Sequence, residues 1–378
     1  MSELTLRATA VRIPVQQPTR IATRTLGQRE FVLVWASRDD GDDVGVGYAY
    51  AGTQGAGLLA QAIEDVLAPI VALGEADDTV GIWERMYQET LLVGRRGAML
   101  RAMSAVDIAL WDLAAKRAQR PLAVLLGGTV RSVPAYASGG YYRPADGPWE
   151  DAVAAEIECN RQLGFQDHKI KVGGLSIAED AKRVEAATRA LGPGGRLALD
   201  ANNAYGSPAT ALVALRAFER AAGEQPLWWF EEPLSADDVA GHAYLRQKTD
   251  TPIATGELAQ TRWEFRDLLE RGSADILQPD AGVLGGVTEY MRVVHACEVA
   301  GVPVAPHWHA NLHAHLAAAS VNCVAVEHFA LEKDIYNFER LLTKATRLQV
   351  QDGEIQLSSS FGLGIDVDPE SVETFQIP

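Results

Sequence analysis

Cysteine is scarce. The three in 378 residues, Cys159, Cys297 and Cys323, lie far apart with no CxxC pair, which excludes a disulfide scaffold and a zinc ribbon and fits a reducing cytoplasm. Long apolar runs are missing too: no stretch of about 18 hydrophobic residues occurs, so no membrane span is expected. The opening MSELTLRATAVRIPV alternates like a strand and contains no signal-peptide core, so secretion is not expected either. Basic stripes are absent. With 34 Lys and Arg against 50 Asp and Glu, the formal charge is −16, which removes nucleic acid and anionic membrane from the expected partners, since both need clustered cations. No low-complexity tail interrupts a composition that is 47% hydrophobic and 22% charged. The chain is long enough for a barrel of about 250 residues plus a second domain. A soluble cytoplasmic protein with a small-molecule partner and a homo-oligomeric assembly is expected.

The first fifty residues read as strands. LTLRATAVRI and REFVLVWAS alternate before a DDGDD turn and VGVGYAYA, predicting a small antiparallel sheet. From Gly57 to Lys116 the rhythm is helical. In SAVDIALWDLAAK, Ser104 and Asp107 read as a capping box, with Val106, Ala109, Leu110 and Leu113 on one face. LLGGTVRS marks a boundary. Beyond it VPAYAS, HKIKV, RLALDAN, LWWFEEP, PIATGE, DILQPD, VPVAPH and VAVEHF alternate with amphipathic helical stretches. Their spacing of about 20 to 35 residues is that of βα units and predicts a (β/α)8-type barrel. The late LQVQDGEIQL, with its Asp-Gly turn, reads as a hairpin returning to the N-terminal sheet.

Barrels of this kind carry their chemistry at the C-terminal ends of the strands. Ionisable groups end seven consecutive predicted strands: Lys169 with Lys171, Asp200 (beside Asn202), Glu231 with Glu232, Glu257, Asp280, His307 and Glu327. Asp200, Glu231 and Glu257 would repel one another in a confined pocket unless a divalent cation lay among them. An all-oxygen set suits Mg2+ better than zinc. Glu231 and Glu232 face opposite ways, and Glu231, two residues after Trp229, is the expected ligand. Any one acid alone reads as a solvated loop residue or helix cap; the shared register argues for a site.

PHWHANLHAHLAAA adds His309, His313 and His315 to His307 and invites a zinc reading, but no HExxH glutamate accompanies them. They read equally as polar residues starting a helix. His307 differs in ending a strand. Asp280 ends the preceding one, so its carboxylate can orient the imidazole and stabilise its charged form, the alternative being a buried structural pair. GGLSIAED and GVLGGVTE match neither a phosphate loop nor a dinucleotide fingerprint and read as turns.

Taken in order, SAVDIALWDLAAKRAQRPLAVLLGG, KIK, DAN, EEP, GE, QPDAGVLGGVTE, APH and EHF resemble the enolase superfamily, specifically its mandelate racemase-like group, over nearly the whole chain. The resemblance implies an α/β fold: a modified TIM barrel, (β/α)7β, in residues 128–345, beneath an α+β N-terminal capping domain of residues 1–127 that about 346–378 complete. It implies metal-assisted removal of the proton α to a carboxylate, giving an enediolate. Asp200, Glu231 and Glu257 become the Mg2+ ligands, Lys171 the base on one face, and Lys169 the contact to the substrate carboxylate. His307, paired with Asp280, becomes the acid or base on the other face, and Glu327 a hydrogen-bonding partner of the remaining carboxylate oxygen, protonated or donating. His168 has no role in this pattern. Two ammonium groups roughly 6.6 Å apart repel by about 2.5 kcal/mol at an effective dielectric of about 20, so Lys169 is expected to lower the proton affinity of Lys171 by roughly two pKa units.

Two opposed proton-transfer groups permit racemisation or dehydration. The lid therefore chooses. PVQQPTRIATRTLGQRE offers Arg20 and Arg24, LLVGRRGAM offers Arg95 and Arg96, and YASGGYYRP offers Tyr141, Tyr142 and Arg143. Arg20, Arg24, Tyr141, Tyr142 and Asn202 are the expected substrate contacts, and inward arginines would favour a polyhydroxylated acid or diacid. PHWHANLHAHLAAA also resembles the galactarate and talarate dehydratases of the group. Acid-sugar dehydration of a small carboxylate is expected, with racemisation or epimerisation of a 2-hydroxy or amino acid as the alternative. A metal-dependent sugar isomerase or aldolase would leave the second lysine and the Asp280–His307 pair without use.

Overall fold

β1 (Leu4–Arg20), β2 (Thr25–Arg38) and β3 (Val44–Tyr50) form an antiparallel sheet in chain order. The computed structural model describes residues 4–74, 78–192 and 194–378. Alternation gives the sheet two apolar faces. Val32, Val34, Ala36 and Ala49 pack with the helical part of the N-terminal region, whereas Val11, Ile13, Phe31, Leu33 and Tyr48 pack with Leu284, Trp308 and Tyr336 of the C-terminal region. The sheet is thus a middle layer. Gly45 and Gly47 in β3 let the helix Ala98–Arg117 lie directly on it, since a Cβ at either would fall 2.1 Å from the carbonyl oxygen of Ala109 or Ala105.

That helix corrects the expected capping box. It begins six residues before Ser104, because Met99, Leu100, Ala102 and Met103 extend the apolar surface upstream. Ser104 and Asp107 lie buried in its middle. Ser104 Oγ donates to Leu100 O at 2.9 Å and accepts from Gly285 N at 2.9 Å. Asp107 accepts from Thr288 N at 2.9 Å and from Thr288 Oγ1 at 2.7 Å, so it caps the helix Gly286–Val299 across the cap–barrel contact. Burial raises its pKa to about 7, with the Thr288 donors opposing. A carboxyl that holds its proton more tightly folded than unfolded contributes stability below about pH 4 and loses it as pH rises through about 7, at about 1.4 kcal/mol per pH unit at most. Urea titrations at pH 5 and pH 8 should show this loss in the native protein and a flatter profile in Asp107→Asn; equal slopes would rule it out.

The second sheet is the barrel. β4 (Ser132–Gly139), β5 (His168–Lys171), β6 (Leu197–Asp200), β7 (Leu227–Glu231), β8 (Ile253–Thr255) and β9 (Ile276–Leu277) pair in parallel in chain order. The expected strand VPVAPH shrinks to one residue, Val304, bridged to Leu277 on one side and Cys323 on the other. β10 (Val326–His328) then pairs with β4 and closes the ring. Inside it Tyr136, Ala198, Trp229, Ala254, Ile276, Ala305 and Ala325 pack together, while Ile170, Leu199, Phe230 and Ile253 pack outward with the helices. β11 (Gln349–Gln351) and β12 (Glu354–Gln356) form the hairpin read from the Asp-Gly pair, but it departs from expectation in its docking. β12 pairs with the start of β4, where Val133 and Ile355 share a core, and it is the segment after the hairpin that reaches β1, through Val372 and Phe375 packed against the core and the backbone of Gln376 and Ile377. No helix among the described residues is long and apolar enough to cross a membrane.

Candidate active site

Period two converts the lumen layer into a functional layer above it. Asp200, Glu231, His307 and Glu327 each follow by two residues a side chain of the inner core, namely Ala198, Trp229, Ala305 and Ala325. Lys171, Asp200 and Glu231 are direct neighbours in the strand register. Asp200, Glu231 and Glu257 form the candidate metal centre: one carboxylate oxygen from each lies within 4.8 Å of the others, and all three residues are buried. Among the described residues this is the only such cluster of His, Cys, Asp or Glu. Trp229 Nε1 and Gln278 Nε2 both donate to Glu231 Oε2, at 2.9 and 2.7 Å, and aim its other oxygen inward. Gln278 was not anticipated; its place two residues before Asp280 was the available signal. Glu232 turns the other way at φ 40 and takes Asn203 Nδ2 at 3.0 Å.

The lysines overturn one expectation. Lys169 Nζ lies 2.6 Å from Glu231 Oε1, 2.8 Å from Glu327 Oε1 and 3.6 Å from Asp200 Oδ2, and Lys171 Nζ donates to Asp200 Oδ2. Burial alone would lower the pKa of Lys171; Asp200 and then Tyr141 outweigh it, and the opposing effect of Lys169 is smaller, so the pKa rises. Lys169 is raised well above its ordinary value by Glu231 and Glu327 against burial. The like-charge repulsion across one strand is real, but each ammonium rests on carboxylates from other strands of the ring, Lys169 on Glu231 and Glu327 and Lys171 on Asp200. Glu327 also differs from a protonated donor. Against burial, Lys169 and then His307 lower its pKa to about 2, and Glu327 Oε2 accepts from Trp308 N at 2.8 Å.

His307 stands apart from its neighbours. Its Nδ1 is 3.0 Å from Asp280 Oδ2, and its Nε2 is 3.5 Å from Glu257 Oε2. Burial would lower its pKa, but Glu257 and the Asp280 hydrogen bond raise it to about 9. The other three histidines of that segment, His309, His313 and His315, are buried. His313 Nε2 accepts from Ala281 N at 3.1 Å, His315 Nδ1 accepts from Ala123 N at 3.3 Å, and His309 Nδ1 lies 3.4 Å from Tyr336 Oη. Burial lowers their pKa values to about 3, 4 and 4 respectively. They tie the helix Ala310–Ala318 to the structure around it. His168, on the face of β5 opposite the lysines, is likewise buried with Nδ1 3.2 Å from Gln166 O.

A cavity of about 230 Å3 lies over these groups, bounded by Lys171, Asn202, Glu257, Asp280 and His307 of the barrel and by Arg24, Arg29, Tyr50 and Arg101 of the cap. Tyr141 and Trp308 complete its wall, and Lys171 Nζ stands 5.0 Å from the Tyr141 ring centre. Arg24, Tyr141 and Asn202 therefore meet the site as expected. Arg20 and Tyr142 do not. Arg20 is exposed, donating to Gly174 O, and Tyr142 is buried behind the strand with its Oη donating to Asp180 Oδ1 at 2.8 Å. Their backbones pair with each other, which turns both side chains away from the cavity. Arg96 pairs with Glu264, Arg143 is held by Thr19 and Lys333 O, and Arg95 is exposed. Arg29 and Arg101 were missed. Nothing local distinguishes them, since one lies within a strand and the other within a helix; an arginine embedded in the buried run of β2 was the only hint.

Comparison with known proteins agrees with this layout. Residues 152–371 match the family described as enolase C-terminal domain-like, and residues 3–127 match the mandelate racemase / muconate lactonizing enzyme N-terminal domain. The chain is 34% identical to an L-talarate/galactarate dehydratase of Salmonella typhimurium, over 98% of this chain and 89% of that protein. It is 31% identical to an arabinonate dehydratase of Saccharolobus solfataricus, over 92% of this chain and 91% of the relative. The crystal structure of an L-talarate dehydratase from Polaromonas sp. JS666, complexed with Mg and L-glucarate, superposes with a TM-score of 0.88 at 32% identity, covering all of this chain and 98% of the other. The cap, the ring of parallel strands and the ordered charges at its rim thus have one common origin: the chain belongs to the mandelate racemase/muconate lactonizing enzyme group of the enolase superfamily.

Proposed function

We propose that this protein is a Mg2+-dependent acid-sugar dehydratase. The observation that carries the reading is a single cavity bounded by Lys171, by the His307–Asp280 pair and by Glu257 of the carboxylate cluster, beneath arginines of the cap. Asp200, Glu231 and Glu257 are assigned the cation. Three buried carboxylates with oxygens this close suit a hard divalent ion, and the rise in the pKa of Glu231, from burial and the charge of Asp200, expresses what the cluster costs without one. When bound, such an ion would supply positive charge against the negative charge that builds up on the substrate carboxylate.

Lys169, anchored by Glu231 and Glu327, presents its ammonium to the substrate carboxylate. Lys171 must first give up the proton that Asp200 holds on it; in the neutral form its Nζ takes the α-proton, and the C–H electron pair moves into the carboxylate to give an enediolate. His307, held by Asp280 through Nδ1, gives its Nε2 proton to the β-hydroxyl. The C–O bond breaks, water leaves, and the enol tautomerises to a 2-keto-3-deoxy acid. Residues 1–127, with part of the tail, are assigned the cap and residues 128–345 the catalytic barrel. A cytoplasmic location is in keeping with three unpaired cysteines.

Mono- and diacid sugars supplied with Mg2+ should yield a 2-keto-3-deoxy product from at least one of them, and optical rotation followed in parallel separates the alternative outcome. A change in rotation without keto product would indicate a racemase or epimerase. No product and no solvent deuterium at the α-carbon of any carboxylate tried would overturn the enolising reading altogether.

A further inference from the structure

The relatives include dehydratases named for a monoacid and for a diacid, so likeness leaves that choice open. The cap side of the cavity does not. Arg29 is 3% exposed, yet it has no carboxylate partner among the described residues. Its Nη1 donates to Tyr50 Oη at 2.8 Å, its Nε is buried without an acceptor, and its guanidinium lies 4.6 Å over the Trp308 ring. Arg101 donates from Nη1 to Tyr50 O at 3.1 Å and also forms no ion pair among the described residues. Both arginines line the cavity, as does Arg24. Trp308 Nε1 is a further buried donor without a partner.

Burying a guanidinium without a counter-anion is unfavourable, and donors left open on one wall of a cavity call for acceptors in whatever fills it. A carboxylate meets the fork of an arginine with two parallel hydrogen bonds. The reacting carboxylate is already assigned to the opposite, barrel side, with Lys169. Resting on the acid-sugar reading above, we propose that Arg29, with Arg101 sharing its Tyr50 contact, binds the second, non-reacting carboxylate of a sugar diacid and so selects aldaric over aldonic acids. The open acceptor Asn202 Oδ1, on the barrel side of the same cavity, fits a hydroxyl of the intervening chain.

Calorimetric titration of wild type, Arg29→Met and Arg29→Lys with Mg2+ present tests this, using galactarate with galactonate and glucarate with gluconate. The members of each pair differ at C6, a carboxylate or an alcohol. Wild type should bind at least one diacid tenfold or more tightly than its monoacid partner. Arg29→Met should lose at least tenfold in diacid affinity with monoacid affinity changed less than threefold, and Arg29→Lys should recover part of the loss. Without ligand, Arg29→Met should melt no lower than wild type, because it removes a buried charge that lacks a counter-anion. Equal affinity within each pair, parallel losses for both acids, or a variant that melts lower or fails to fold would each overturn the assignment. Failure of the acid-sugar reading shows separately, as diacid binding without deuterium exchange at the α-carbon and without product.

Discussion

Lys171→Met should lower dehydration by about 10^2 to 10^4-fold, the range for loss of a positioned proton-transfer group, and should abolish exchange of the substrate α-proton with solvent deuterium. His307→Asn should reduce dehydration by a similar factor yet leave that exchange in place. The asymmetry follows from where the two groups stand. Lys171 belongs to β5, beside the carboxylate cluster, whereas His307 follows Val304 across the ring and is turned by Asp280 through its Nδ1 at 3.0 Å, leaving Nε2 toward the cavity. If Lys171 alone takes the α-proton, the enediolate still forms in His307→Asn; it only lacks the acid that lets the β-hydroxyl leave. Proton exchange in the substrate, read by NMR alongside keto-acid formation, separates the two steps. Loss of exchange in His307→Asn with its retention in Lys171→Met would reverse the roles of the two residues.

Chelation should remove activity completely and should also make the protein less stable. Asp200, Glu231 and Glu257 are buried and hold their oxygens within 4.8 Å of one another, with Lys169 and Lys171 beside Asp200 and Glu231 and His307 beside Glu257. An ion that binds only the folded cluster adds about 2.7 kcal/mol at a hundred times its dissociation constant, or several degrees in melting temperature for a chain of this size. Glu257→Gln withdraws one proposed ligand and one charge just after β8 and should cut the Mg2+-dependent shift by at least half, with Ca2+ or Zn2+ as controls for ion preference. Differential scanning calorimetry across a Mg2+ titration reads both effects. A melting temperature indifferent to Mg2+, or one that responds equally in Glu257→Gln, would place the metal elsewhere.

The candidate site was more legible than its lid. Two apolar residues, a step of two, then a charge is a local statement about which face of a strand a side chain leaves, and it holds wherever the strand ends up. That is why Asp200, Glu231, His307 and Glu327 were readable before any fold was known. The same locality misled at Ser104 and Asp107, whose spacing fits a capping box, although the apolar residues upstream carry the helix through them and their bonds go to Gly285 and Thr288. It misled again at Arg20 and Tyr142, because a backbone pairing between distant segments decides which way both side chains turn.

Charge states were the least accessible part. Two lysines on one strand face do repel, and from KIK alone a depressed Lys171 is the reasonable expectation. The outcome instead depends on Asp200, Glu231 and Glu327, which lie 29 to 158 residues away in sequence and within hydrogen-bond reach in space. Periodicity and the order of residue types were enough for the succession of strands and helices, the class of chemistry at the strand ends and the oxygen character of the candidate metal set. Which cap arginines look into the cavity, where the late hairpin docks and which groups hold their protons emerge from the assembled fold alone. Those depend on how the cap sits on the barrel and on Coulomb interactions at a few ångströms, and neither is encoded in the spacing along one strand.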